Sequence, residues 1–519
     1  MRDECTTTVP IKAVELPEEG ETTQPARWST KPPSPQHNER PKTEFTMPPW
    51  RRIAPPIVGM LVMLLLLSRM PASLSSDGKF TLAVFAAAIW FWVFTKIDDT
   101  YIALSAATIL TVAGAIPVPE LYAALGDDTL WLLIGAFIIA SAVSASGLAE
   151  RGALGITRGV TSPRVLVHLV TLTIVCTVYA VPATSGRAAL VIPVFLALSH
   201  ALGERDRWLT QSLSLVFPVT ILFSAVGSLI GAGAHLITNQ ILSANGLEAF
   251  SFTQWLLFGL PLALVSSHGA AEIILFVTST KEQRSSEIDI NADSFTESSR
   301  ALSSWEIRTL LILMISVVLW STENLHGLPP ALVALIGGLL ITCPCFGSVT
   351  LADSIKKIPW SLLLFMASTL AMSRALTNTG AAEVLARSLL STPSHNVFAG
   401  IVFVVMVIVL STFAHLVVQS RSARSAVLIP LVVLLAPSVG VNPLAAAFVS
   451  TAAAGFCHTL PASAKPLAMF KTLGAETNTA VFNESQLLRL AVFLLPLHLV
   501  LCIVFAFGIW PLLGLPVFQ

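Results

Sequence analysis

Five basic side chains interrupt the apolar runs of this 519-residue chain, and the residues around them suit the capture of a small anion. Arg187, Arg421, Arg424, His235 and Lys465 all stand among small residues inside or beside apolar stretches. A guanidinium at membrane depth costs at least about 2.5–3.5 kcal/mol, so such a residue is expected to face a cavity or a partner. The planar fork of arginine matches a carboxylate with two parallel hydrogen bonds. Thr184, Ser185, Ser420 and Ser422 bring hydroxyl donors to the same places. Half-helix N-termini add free N–H groups that attract negative charge. The set fits a substrate with one or two carboxylates, its charges held by Arg187 and Arg424. His235, at a break in its run, also suits a proton carrier, because an unperturbed imidazole titrates near pH ~6.5.

The arginines lie in two stretches of one design. Residues 183–194 read ATSGRAALVIPV and residues 420–431 read SRSARSAVLIPL. Aligning Pro193 with Pro430 puts Arg187 on Arg424 without a gap. Upstream, the run from Trp131 (WLLIGAFIIASAV) answers the run from Trp360 (WSLLLFMASTLAM). Downstream, VGSLIGAGAHLITNQIL from Val226 answers AGFCHTLPASAKPLAMF from Ala454, with His235 the base in one and Lys465 in the other. Interrupted segments at matching positions of two halves point to the substrate site of a secondary transporter.

The elements that must position these residues are membrane helices. Hydrophobic residues make up 54% of the chain and charged residues only 12%, where a soluble protein carries about a quarter charged. Apolar segments recur from residue 53 to residue 513, many near the ~20 residues that span a bilayer. We expect an all-α polytopic membrane protein of about eleven transmembrane helices, the shorter segments being re-entrant. Residues 1–50, rich in Pro, Thr and Glu, read as a disordered tail, and Lys42, Arg51 and Arg52 place it on the cytoplasmic side. Residues 51–278 form a first transmembrane repeat, 279–305 a polar loop and 306–519 a second repeat. A net charge of +0 identifies no partner; the lipid bilayer and a small anion are expected, and no nucleic acid. No P-loop, HExxH or GxSxG pattern occurs, so neither ATP-driven transport nor hydrolysis is expected. Cys343-Pro-Cys345 does not have the spacing of zinc pairs. His415 and His458 read as packing residues, and Asp98-Asp99 and Asp127-Asp128 as solvated acids at segment ends, with pairing to an arginine in one state as the alternative. Asn483-Glu484-Ser485 fits the glycosylation pattern.

On these residues the chain resembles the divalent anion/sodium symporter family, which carries dicarboxylates, citrate and sulfate. That family has two Ser-Asn-Thr motifs, each followed by small residues and a Leu-Pro or Ile-Pro. The motif positions here are Ala183-Thr184-Ser185 and Ser420-Arg421-Ser422, with Ile192-Pro193 and Ile429-Pro430 downstream. Gly231-Ala232-Gly233 and Lys465-Pro466 are similar to the family's broken-helix loops, and IWPLLGLP, residues 509–516, to its ending. The resemblance covers about residues 55–517. It implies two inverted repeats, each with a re-entrant hairpin and a broken helix meeting near the midplane, an elevator-type movement and a homodimer. It also implies sodium sites built partly by the motif asparagines, which Thr184 and Arg421 replace here. A hard cation wants oxygen ligands, and Arg421 offers only donors. One weak sodium site at Thr184, Ser185, Gly231 and Gly233 stays open. A fixed guanidinium where the family has an asparagine could replace bound sodium, which predicts transport without a sodium gradient, by exchange, proton coupling or facilitated movement; sodium or a proton is the coupling ion considered, and no other cofactor is expected. The expected function is secondary active transport of di- or tricarboxylates by alternating access, in an inner or plasma membrane. The alternatives are an inorganic oxyanion permease of sulfate or arsenite type, an anion channel, or a receptor that keeps the fold without turnover.

Overall fold

The computed structural model describes residues 56–61, 65, 68, 74–157, 159–288, 290, 301–384, 397–477 and 479–519. The N-terminal tail, residues 1–50, lies outside them, as do parts of the first apolar segment and of the polar loop. Among the described residues the chain is helix and loop, with one isolated β-bridge between Val441 and Phe518. Among the described residues, ten helices are long and apolar enough to cross a membrane, close to the eleven expected. Their outward faces explain why. On the helix Ser304–Ser321, Leu311, Met314, Ile315 and Val318 are all exposed. That spacing is one continuous apolar stripe, which only lipid or another apolar surface can cover.

The order of elements repeats. The first half runs α1 (Ser76–Phe94), α2 (Asp99–Val112), α3 (Asp128–Ser146), α4 (Pro163–Cys176), α5 (Thr184–Leu202), α6 (Arg207–Ser224), α7 (Gly233–Ala244) and α8 (Phe252–Thr278). The second runs α9 (Ser304–Ser321), α10 (Pro330–Ile341), α11 (Trp360–Asn378), α12 (Val397–Phe413), α13 (Arg421–Leu435), α14 (Pro443–Ala453), α15 (Lys465–Thr477) and α16 (Glu484–Val504). Within each series the contacts correspond: α4 packs on α6 and α8 as α12 packs on α14 and α16. Between the series they are exchanged. α3 packs on α10 while α11 packs on α2; α5 and α6 pack on α15 while α13 and α14 pack on α7. Such reciprocal exchange is what an approximate two-fold relation between two copies produces.

Two pairs, α4–α5 and α12–α13, are helical hairpins with short tips, residues 180–183 and 417–420. Two further pairs, α6–α7 and α14–α15, are helices broken in mid-course. The first break, residues 225–232, contains two single 3₁₀ turns. Its sequence, AVGSLIGA, places Gly227 and Gly231 within the break, and a Cβ on Gly231 would lie 2.1 Å from the Ala225 carbonyl oxygen. The second break, residues 454–464, is closed by a 3₁₀ turn at Pro461–Ser463. The linker differs from expectation in one respect: Thr280 and Gln283 form a reciprocal cap that starts a short helix, Lys281–Ser285.

Candidate anion-binding site

Both hairpin tips and both breaks open onto one cavity of about 660 Å³, within the range of small-molecule sites. Four helix N-termini meet there. α5 brings Thr184, Ser185 and Gly186; α13 brings Arg421, Ser422 and Arg424 behind Ser420; α7 brings Gly233 and Ala234; α15 brings Lys465. The first amides of a helix have no carbonyl partner within it. At α5 the capping residue is Ala183, whose side chain accepts no hydrogen bond, and the same holds for Ala232 at α7. At α13 the Ser420 hydroxyl accepts from the Ala423 amide at 3.3 Å. Ala183 takes a left-handed φ of 72°, alone among the described non-glycine residues, and this turn aims the start of α5 at the cavity. The starts of α7 and α13 also touch: a Cβ on Gly233 would lie 3.2 Å from the Ser422 hydroxyl.

The cations fall into two classes. Arg187 is fully buried, and its donors all go to protein. Nε donates to Thr177 Oγ1 at 3.0 Å, Nη1 to the Ile221 carbonyl at 3.0 Å, and Nη2 to the Ile174 carbonyl and Ser224 Oγ, each at 2.7 Å. It ties the ends of α4 and α6 to α5 and does not line the cavity. Arg424, its partner in the aligned stretches, binds the second break in the corresponding way. Nη1 donates to the Phe456 carbonyl at 3.3 Å and Nη2 to Cys457 Sγ at 3.0 Å. Its Nε has no partner, however, and the residue lines the cavity.

Arg421 has no equivalent in the first half, where Thr184 occupies the matching position. Its Nε and Nη1 are enclosed and make no hydrogen bond. Its Nη2 lies so close to Gly455 that a Cβ there would come within 2.7 Å. Among the described residues no ion pair includes Arg421 or Arg424. Unpartnered donors on buried guanidinium groups are expensive; these nitrogens are enclosed by protein, while both residues line the cavity.

His235 lies outside the cavity. It is fully buried, its Nδ1 faces the Ser228 carbonyl at 3.0 Å, and its ring stacks on Trp255 at 4.9 Å. Of the residues considered for sodium, Thr184, Ser185 and Gly233 line the cavity and Gly231 does not. Sequence reasoning missed Asp99 and Lys357, both of which line it. Asp98 and Asp127 cap α2 and α3, as acids at segment ends do, but Asp99 turns inward towards Ser420 and Lys465. Asn483, in the glycosylation pattern, caps α16.

Comparison with known proteins agrees with this architecture. The chain is 24% identical over 440 residues to a sodium-dependent dicarboxylate transporter of Staphylococcus saprophyticus, spanning 79% of this chain and 83% of that one. The corresponding Staphylococcus aureus transporter is 22% identical over 441 residues, 80% of this chain and 84% of its own. The crystal structure of the YdaH transporter of Alcanivorax borkumensis matches with a TM-score of 0.54 at 15% identity, covering 90% of this chain and 100% of that one. These relatives are transporters, not enzymes. The family described as the sodium:sulfate symporter transmembrane region matches residues 49–515, and this chain, a multi-pass integral membrane protein, belongs to that family.

Proposed function

We propose that the protein is a secondary active transporter of small organic anions, di- or tricarboxylates, binding them in the cavity where the four helix N-termini meet. The observation that carries this reading is the set of unpartnered donors on Arg421 and Arg424, with no acid paired to them. Arg421 binds the first carboxylate, and the positive charge of Arg424 beside it assists. Lys465 and the α5 amides beside Thr184 and Ser185 receive the second, and Ser420 and Ser422 orient the substrate. Arg187 and His235 act behind the site, holding the hairpin and the break in place. The halves, residues 51–278 and 306–519 joined by 279–305, work as inverted repeats of an elevator in a homodimer, in an inner or plasma membrane.

The staphylococcal relatives are named as sodium-dependent dicarboxylate carriers, which favours both the substrate class and sodium as a coupling ion. In this chain the hydroxyls of Thr184 and Ser185, with carbonyls near Gly233, supply oxygen to one sodium ion. The matching place in the second half holds Arg421, which has nothing to offer a cation and leaves no second free site.

The test is uptake of labelled succinate, citrate and sulfate by the purified protein in liposomes, with and without sodium. Saturable succinate uptake, stimulated by succinate on the far side and depending on sodium no more steeply than first order, is the expected result. Uptake of sulfate with succinate excluded would move the reading to an inorganic oxyanion permease. Unsaturable current would make the protein a channel.

A further inference from the structure

An anion site needs cations, yet two acids also line this cavity, Asp98 and Asp99. They are used differently. The Asp98 carboxylate accepts from the Thr100 and Tyr101 amides at 2.9 and 3.1 Å and belongs to the cap of α2. Asp99 is the first residue of that helix and takes no part in the cap. Its side chain faces the Ser420 hydroxyl and the Lys465 ammonium. Ser420 accepts from the Ala423 amide, which leaves its own proton for Asp99. Among the described residues no ion pair includes Asp99 or Lys465, so opposite charges line one cavity without closing on each other.

The acid is also held in place. Trp92 Nε1, on α1, donates to the Asp99 carbonyl at 3.3 Å, and Thr100 Oγ1 donates to the Ser361 carbonyl on α11 at 3.0 Å. The Trp92 ring is buried against Phe365, 5.8 Å between centroids. A carboxylate anchored on two neighbouring helices is a preorganised part of the wall.

We propose that Asp99 is the specificity-determining residue of the cavity, reading the group that a dicarboxylate carries between its two ends. It favours a hydrogen-bond donor there, a hydroxyl or an ammonium, and rejects a further carboxylate. This rests on the proposed function, which puts one carboxylate on Arg421, next to Ser420, and the other on Lys465. Asp99 faces both Ser420 and Lys465, so the middle of a substrate spanning them meets its carboxylate. A donor on the middle carbon makes a charge-assisted hydrogen bond to Asp99. Plain succinate offers only C–H there and leaves the acid without a partner once water is displaced. A third carboxylate sets like charge against like charge where little water screens it. Rejection by an opposing charge discriminates as well as an added contact does.

Competition against labelled succinate, on the purified full-length protein in detergent with sodium present, tests this. The competitors are malate, aspartate and carboxysuccinate, which place a hydroxyl, an ammonium and a carboxylate on the same carbon of succinate. Malate or aspartate should bind about tenfold more tightly than succinate, and carboxysuccinate about a hundredfold more weakly. Asp99→Asn should raise carboxysuccinate about tenfold relative to succinate. If the donor is an ammonium, the preference for aspartate should vanish with the charge in Asp99→Asn. If it is a hydroxyl, the preference for malate should survive in Asp99→Asn, whose amide oxygen still accepts, and vanish in Asp99→Ala. Each readout is a ratio between two ligands on one variant, which partial unfolding does not move. Asp98→Asn, at the cap, should keep the wild-type ratios. Equal affinity for succinate and its three derivatives, or ratios that both Asp99 variants leave unmoved, would overturn the proposal and leave the proposed function standing. A change with Asp98→Asn as large as with Asp99→Asn would overturn the assignment to Asp99. Failure of all four anions to bind would remove the proposed function and this inference together.

Discussion

The two hairpins hold their arginines to opposite effect. In the first, Arg187 makes four hydrogen bonds to buried acceptors and seals α5 against α4 and α6. In the second, Arg424 makes two and keeps a free Nε, and Arg421, one turn earlier, has two enclosed nitrogens without partners. The helices are the same and the aligned arginine is the same. What differs is whether the surrounding carbonyls and hydroxyls saturate the charge. A saturated guanidinium is cement; an unsaturated one at a cavity keeps its charge uncompensated. Repetition of a residue in two copies of a fold therefore does not carry its role from one copy to the other.

The contrast can be broken most severely at Arg187. Arg187→Ala strands several buried acceptors, each costing about 1–3 kcal/mol, so the expected loss is on the order of 4 kcal/mol of stability. It should appear as a sharp fall in melting temperature or loss of monodisperse protein. Arg421→Ala should leave the melting temperature close to wild type and lower succinate affinity about a hundredfold. That is the weight of charge-assisted bonds worth roughly 1.5–3 kcal/mol, and isothermal titration would measure it. If the two variants exchanged phenotypes, the division into cement and binding group would be reversed.

Gly455→Ala sharpens the same distinction without touching a charge. Its Cβ would lie 2.7 Å from Arg421 Nη2 and 2.8 Å from the Ala452 carbonyl oxygen, so the guanidinium must move; affinity should fall about tenfold, scaled from a lost hydrogen bond. Lys465→Ala should have the smallest effect, about threefold, because an exposed ammonium is screened by water. The loss should be larger for succinate than for a monocarboxylate in competition assays.

Much of the scaffold was legible in the sequence. The paired stretches around Pro193 and Pro430, the small-residue runs at 225–232 and 454–464, and the two Trp-led segments all mark elements at corresponding places. Composition alone required membrane helices. The direction of each side chain was not legible. Arg187 and Arg424 align without a gap, yet spacing along a chain does not say which face of the helix meets a cavity and which meets carbonyls. Asp99 was passed over because an acid at the end of an apolar run reads as solvated; its neighbour Asp98 instead caps α2. His168 Nε2 contacts Glu272 Oε1 although the two lie 104 residues apart; no periodic pattern brings such a pair together, only the packing of α4 on α8.

The exchange of elements between the halves has a consequence for synthesis. α7 is seated on α13 and α14, and α15 on α5 and α6, so each broken helix finishes against a surface encoded in the other half of the chain. The first half leaves the ribosome with one wall of its pocket still untranslated. Assembly of the site must then be a late event, completed after α15 has been made, and a truncation before Lys465 should insert most of its helices yet yield a protein that turns over quickly in the cell.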